Sequence, residues 1–205
     1  MKITKDQLKG WAACRDGYEW FLSRFPDGEA EYQDVLNALA KDDRPTDAHW
    51  LMDHAGPDRE SVLEVKVITD CKHFFAAGRL VIKTSATVAG WLRAGEGIEA
   101  GRGIEAGWLR AGEGIKVGRG IKVGRGIKVG EGIKAGEGIE AGWGIEAGEG
   151  IEAGGGIKAG DGFGIFAGLR TRLADWSIYA RVIAKTKPHN LVSGSWVESA
   201  AEALA

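Results

Sequence analysis

Proline is scarce in this chain and confined: Pro26, Pro45, Pro57 and Pro188 leave residues 58–187 without one. A collagen-like strand and a Pro/Gly linker are thereby excluded for the glycine-rich middle. Cysteine is scarcer still, with Cys14 and Cys71 alone, which suits reduced thiols in a cytoplasm better than a disulfide framework. No apolar run reaches the roughly 18 residues that a membrane helix needs, and the opening MKITKDQLKGW is charged with no apolar core of a signal peptide. The expectation is a soluble, unexported, cytoplasmic protein with no membrane partner. A formal net charge of −2 argues against a coat for nucleic acid, so no nucleic-acid partner is expected.

The widest absence is chemical. From Val88 to Gly168 there is no Ser, Thr, Cys, His, Tyr, Asn or Gln. Nucleophiles, metal ligands and hydroxyl-based acid/base pairs cannot come from this stretch, and its repeated Gly-x-Gly has no P-loop Lys-Ser/Thr. Outward Glu and Lys also rule out the flat hydroxyl face of an ice binder. His49, His54, His73 and His189 are scattered and read as core or surface residues. An enzyme would need Cys71, His73, His189 and Ser193 to converge on one pocket. The expectation is no catalytic residue, no metal and no cofactor.

What is present is a nested repeat. Of 33 glycines, 27 lie between Gly90 and Gly168. Residues 91–160 read as WLRAGEGIEAGRGIEAG, WLRAGEGIKVGRGIKVG, RGIKVGEGIKAGEGIEAG and WGIEAGEGIEAGGGIKAG, copies of 17, 17, 18 and 18 residues. Each is three units of the type G-I-[EK]-[AV]-G-x, and three sixes within a fixed longer period are the signature of a three-sided β-solenoid. In I-[EK]-[AV] the side chains alternate, placing Ile and Ala/Val inside and the charge outside. Gly-x-Gly is expected to turn the corner, through positive φ and close backbone approach.

The predicted inward columns are Leu92, Leu109, Ile127, Ile145; Ile98, Ile115, Ile133, Ile151; and Ile104, Ile121, Ile139, Ile157. Outward, the charges run Glu105, Lys122, Glu140, Lys158 and Glu99, Lys116, Lys134, Glu152; three units per coil satisfy more opposite-charge pairs than two, which would stack Lys116 on Lys128 and Glu140 on Glu152. The fold class is therefore mainly β: a triangular β-helix of about 17–18 residues per coil behind a small N-terminal α-helical domain. Residues 1–57 form the helical domain. Residues 58–198 form the solenoid, regular over 88–168 with irregular coils at both ends, and 199–205 form a tail that is a short helix or frays.

Within residues 1–57, Thr4 and Gln7 fit a capping box opening a first helix, Asp16 or Gly17 starts a second, Glu29 to Lys41 forms a third, and Thr46 caps a fourth ended by Gly56-Pro57. Such a bundle is small and is expected to lean on the coils that adjoin it.

Trp91 and Trp108 occupy the same corner of successive coils, and Arg125 and Trp143 continue that column. It is either an aromatic and cation–π ladder shielding a corner or an exposed stripe for a partner. Charge is banded too: residues 108–130, with Arg119 and Lys122 among them, carry six basic residues against Glu113, and 131–161 carry seven acidic residues against Lys134 and Lys158. Opposite bands suit side-by-side association or a dipolar partner. The candidate binding residues are Trp91, Trp108, Arg125, Trp143, Arg119 and Lys122, with the acidic surface at Asp42, Asp43 and Asp47 next in line.

The array resembles hexapeptide-repeat acyltransferases in its six-residue units and triangular coil, although the acetyl-transfer histidine of that family has no counterpart in it. It is also similar to bactofilin-type polymerising proteins, which are Gly/Ile-rich and cofactor-free. The strings CRDGYEWFLSRFP, YQDVLNALAKDD and WLMDHAGP resemble domains that head repeat proteins of unassigned function in bacteria and their mobile elements. The expected function is a non-enzymatic protein-binding solenoid acting on another, unidentified protein as a homo-oligomer such as a dimer, in the setting of a phage or mobile-element inhibitor of a host defence system. The alternative is a self-assembling structural β-helix.

Overall fold

The structure, a computed structural model, describes residues 1–199; the tail beyond Ser199 lies outside the described residues. The head opens with strand β1 (Lys2–Thr4) and helices α1 (Lys5–Gly10) and α2 (Arg15–Arg24). Strand β2 (Glu29–Glu31), α3 (Tyr32–Lys41) and α4 (Pro45–Ala55) complete it. Thr4 accepts from the Gln7 amide while the Gln7 side chain accepts from the Thr4 amide, the capping box expected from the sequence. Three local expectations are corrected. Residues 29–31 are not the first turn of α3 but a strand pairing antiparallel with β1. The bundle is thus four helices plus a two-stranded sheet. The N-cap of α2 is Cys14, whose Sγ accepts from the Gly17 amide. In α4, Pro45 takes the first turn, where its missing N–H costs nothing, so the cap is Arg44 and not Thr46.

From Val62 the chain winds through about eight stacked coils of parallel strands. Each full coil contributes to three columns of strands. The first column runs Val62–Val65, Arg79–Ile82, Ile98–Ala100, Ile115–Val117, Ile133–Ala135, Ile151–Ala153, Arg181–Ala184 and Ser195–Glu198. The second and third columns are joined in coils two and three by long strands, Ala86–Ala94 and Ile104–Ala111. Those strands run through the corner because the five-residue unit W-L-R-A-G has one glycine there where the next two coils have Gly-x-Gly, at 124–126 and 142–144.

The register is the one predicted: Ile115 faces Ile98 and Ile133, Ile121 faces Ile104 and Ile139, and Ile127 faces Leu109 and Ile145. Isoleucine and Ala/Val point inward into one wholly apolar core, Ile104 and Ile145 being fully buried. Outside, Lys134 pairs with Glu152 (2.8 Å), Lys128 with Glu146 (2.9 Å) and Arg79 with Glu99.

The corner glycines act differently from expectation. Between residues 88 and 160 none has positive φ; the positive-φ glycines are Gly28, Gly56, Gly162, Gly168 and Gly194, so the array departs from its pattern in its last turn. Close approach is what requires the first glycine of most Gly-x-Gly corners, while the second has more room. A Cβ on Gly118, Gly136 or Gly154 would lie 2.1–2.3 Å from the carbonyl oxygen of Gly101, Gly118 or Gly136 one coil earlier.

An excursion that no repeat announces interrupts the winding between Phe166 and Arg181. It is tied down by Gly168 N–H to Glu149 O (2.8 Å) and Arg170 N–H to Gly148 O (2.8 Å), then makes a 3-10 turn at Leu173–Asp175 and a helical turn at Trp176–Tyr179.

The head does lean on the solenoid. Its core of Ile3, Phe21, Tyr32, Leu36, Leu39 and Leu51 continues into Phe75 and Ala77 of the first coil. The Gln33 side chain donates to Phe75 O (2.8 Å) and accepts from the Ala77 amide (2.9 Å), imitating a strand edge. Arg93, 6% exposed, reaches up to Asp53 and His49 of α4. Among the described residues no helix is long and apolar enough to cross a membrane.

Candidate functional site

The corner between the second and third columns gathers the side chains singled out by the sequence. Trp91 stacks on Trp108 with ring centroids 4.8 Å apart and 5° between planes. That separation is the strand spacing itself, so adjacent coils alone impose the stack. The Arg125 guanidinium then lies 5.7 Å from the Trp108 ring and 5.8 Å from that of Trp143, bridging the two as a cation–π rung. The Trp108 and Trp143 rings also meet edge to face at 4.9 Å.

Sequence counting missed one member. Phe163 stacks on Trp143 at 5.6 Å and 7°. In its coil Ile165 pairs with Ile145, 20 positions away where the array uses 17 or 18, so the fixed period steps past it.

Exposure divides the column. Trp91 packs against the head's core, its ring 4.2 Å from that of His49, and Trp108 is half-buried. Arg125 is exposed, and Trp143 and Phe163 are 42% and 43% exposed. The first half of the ladder fastens head to coils, while the second half presents ring edges and a guanidinium to solvent.

The other two expected binding residues lie apart. Arg119 sits on the neighbouring corner, between the Ile115–Val117 and Ile121–Val123 strands, and Lys122 is mid-strand in the second column between Glu105 and Glu140. The acidic surface of the head is internally paired: Asp42 accepts from Trp20 and Arg24, Asp43 pairs with Lys72 and His73, and Asp47 with Arg44. The hydrogen bonds from Arg24 and then Trp20 hold the Asp42 carboxyl below its usual range.

The turn from the third column back to the first carries Glu96, Glu113, Glu131 and Glu149, one per coil, a series visible in the sequence as G-E-G at 17- and 18-residue spacing but not singled out from it. Burial, then Glu113 and Glu149, push the Glu131 carboxyl upward, and Arg170 of the excursion opposes this. The remaining chemistry-bearing residues are spread out. His73 accepts from the Trp91 amide (3.1 Å) and donates to Asp43 (2.9 Å), while Ser193 donates to Ala167 O (2.9 Å) at the far end of the stack. Burial raises the Cys71 thiol. Among the described residues no three His, Cys, Asp or Glu side chains are arranged to hold a metal ion.

Compared with known proteins, residues 1–55 match the family model of the YdhT N-terminal domain, which covers the whole head up to the end of α4 and none of the coils. No curated protein and no solved structure matches the chain.

Proposed function

We propose that the chain is a non-enzymatic protein-binding solenoid that docks a partner protein on the exposed half of the aromatic corner. The supporting observation is the Arg125–Trp143–Phe163 run, two large rings more than two-fifths exposed beside an exposed guanidinium, on a rigid ladder. Trp and Arg are among the residues that most often anchor interfaces, and a preformed scaffold lowers the entropic cost of binding. Because the rings stack on one another, their edges face the partner. A matching surface offers an apolar side chain to those edges and a carboxylate to Arg125.

The narrower setting, an inhibitor carried by a phage or mobile element against a host defence system, draws its support from the resemblance of the head alone and belongs with this proposal. The test begins with cross-linked capture from the native host and identification of the partner. Affinity is then measured for the Trp143→Ala, Arg125→Ala double variant. A loss of at least about 2 kcal/mol is expected, with an unchanged melting temperature. Undiminished binding by the folded variant overturns the assignment.

Self-assembly is favoured by a different observation. Among the described residues, the first-column strands Val62–Val65 and Ser195–Glu198 each pair on one side only, leaving an open edge at either end of the stack. Mass that grows without limit with concentration supports this reading; a fixed small oligomer supports the first.

A further inference from the structure

The head contains a cavity of about 250 Å³ between α1, α2, α3 and α4, lined by Leu8, Phe21, Leu39, Trp50 and Leu51, with Trp20 and Cys14 at its side. Its size falls below the roughly 300–1,000 Å³ of sites that take whole small molecules and suits one or two apolar side chains. Asp47 lines its rim. Arg44 bonds both Asp47 and, next to the lining residue Gly17, Asp16, so two carboxylates share one guanidinium beside the cavity mouth. The Asp16 side chain is 80% exposed.

Elsewhere in the same chain is a feature of the opposite shape. The excursion between Phe166 and Arg181 carries Leu173 at 91% exposure, with Ile178 at 62% and Tyr179 at 53%. A leucine this exposed makes almost no contact of its own, yet the segment before it is held by four hydrogen bonds to the solenoid, from the amides of Gly168, Leu169 and Arg170 and from the Thr171 hydroxyl. The knob is presented on a rigid base. Beside it stands Arg172, exposed and without an ion pair among the described residues. Arg170 and Arg172 against Asp175 give the excursion a net positive charge.

We propose that the cavity of the head receives Leu173 from a second copy of this chain, with Arg172 of that copy meeting the Asp16 and Asp47 rim. Leu173 is exposed in its own molecule and its base is tied to the coils, so the contact forms between molecules. Knob and cavity are different surfaces, and the contact is therefore heterologous: repetition closes a ring or extends a filament. This gives the self-assembling reading a specific contact, distinct from joining of open strand edges and from docking at the Trp143 corner.

The test uses the full chain and reads mass by sedimentation velocity up to about 1 mM. Wild type is expected to grow with concentration. Leu173→Asp, with the cavity intact, and Thr46→Trp, which covers the cavity mouth from an exposed position on α4, are each expected to stay monomeric. Mixed, these two variants should form a dimer that grows no further, because only one knob and one cavity remain free to meet. Arg172→Glu should weaken assembly at least tenfold and Asp16→Arg in the same chain should restore it. A wild type that stays monomeric overturns the proposal, and so does a mixture that stays monomeric. Growth untouched by Leu173→Asp also overturns it, while leaving assembly through the strand edges standing.

Discussion

Replacing Gly136 and Gly138 by alanine, one at a time, separates two accounts of the solenoid corner. The residues flank Glu137 in one Gly-x-Gly, and neither has positive φ. If corners needed glycine for unusual dihedrals, the two variants would suffer alike. Contact geometry predicts otherwise. A Cβ on Gly136 would sit 2.2 Å from Gly118 O and 3.1 Å from Gly118 C, both backbone, whereas ordinary contact begins at 3.4 Å. The coils must part locally by about 1 Å. That separation breaks the Gly136 N–H bond to Val117 O (3.0 Å) and the Glu137 N–H bond to Arg119 O (3.3 Å). At about 1 kcal/mol net per bond, with lost packing added, Gly136→Ala should cost about 2–3 kcal/mol. The stiffer unfolded chain returns about 0.4–1 kcal/mol.

On Gly138 the Cβ meets only Gly156 O, at 3.2 Å, which asks for a few tenths of an ångström. Gly138→Ala should fall within about 0.5 kcal/mol of wild type once the same unfolded-state gain is counted. Urea unfolding followed by tryptophan fluorescence measures both, and hydrogen exchange at residues 136 and 137 localises the damage. Equal losses in the two variants, or an unaffected Gly136→Ala, would refute the close-approach account.

Deleting residues 125–142 removes one whole coil, since Ile127 and its partner Ile145 stand 18 apart, and should leave the melting temperature within a few degrees of wild type. Deleting Trp143 to Ala147 breaks the register of every later coil and should lower it far more; equal shifts would mean the unit is not a coil. Acid should loosen the head. Burial, then Arg93 and Arg110, lower the His49 pKa from 6.5 to about 4, with Asp53 opposing and His73 adding slightly. Arg93 donates to His49 Nδ1 (2.8 Å), so that nitrogen is an acceptor and the ring is neutral. The unfolded chain therefore binds more protons between about pH 6.5 and 4, and stability falls as pH drops through that window, by on the order of 2–3 kcal/mol. Melting curves across pH should show this loss in wild type and not in His49→Gln, which keeps an acceptor for Arg93.

How much of this was legible depended on whether a feature repeats. The Ile columns, the outward charge ladders and the Trp91, Trp108, Arg125, Trp143 corner all follow from one unit copied at 17 or 18 residues, and each copy checks the others. The role of glycine was half legible: its position was written in the repeat, but φ and coil-to-coil distance are properties of the wound chain. Strands β1 and β2 were hidden because Lys2–Thr4 and Glu29–Glu31 are too short to show alternation, and Glu-Ala-Glu favours helix on its own.

The features that carry the functional proposals are those the repeat does not contain. Phe163 joins the aromatic corner only because residues 160–164 lengthen one turn of the coil, and Leu173 stands exposed only because an excursion leaves the winding. Trp91, identical by repeat logic to Trp108, is withdrawn from solvent by His49 and the head's core. A repeat fixes which residues share a column, but it assigns them equal surroundings. What distinguishes them is where a second element, the head at one end and the excursion at the other, covers the column or leaves it open. That is why Trp143 and Phe163, equivalent in position to the covered Trp91, are the members left free to meet a partner.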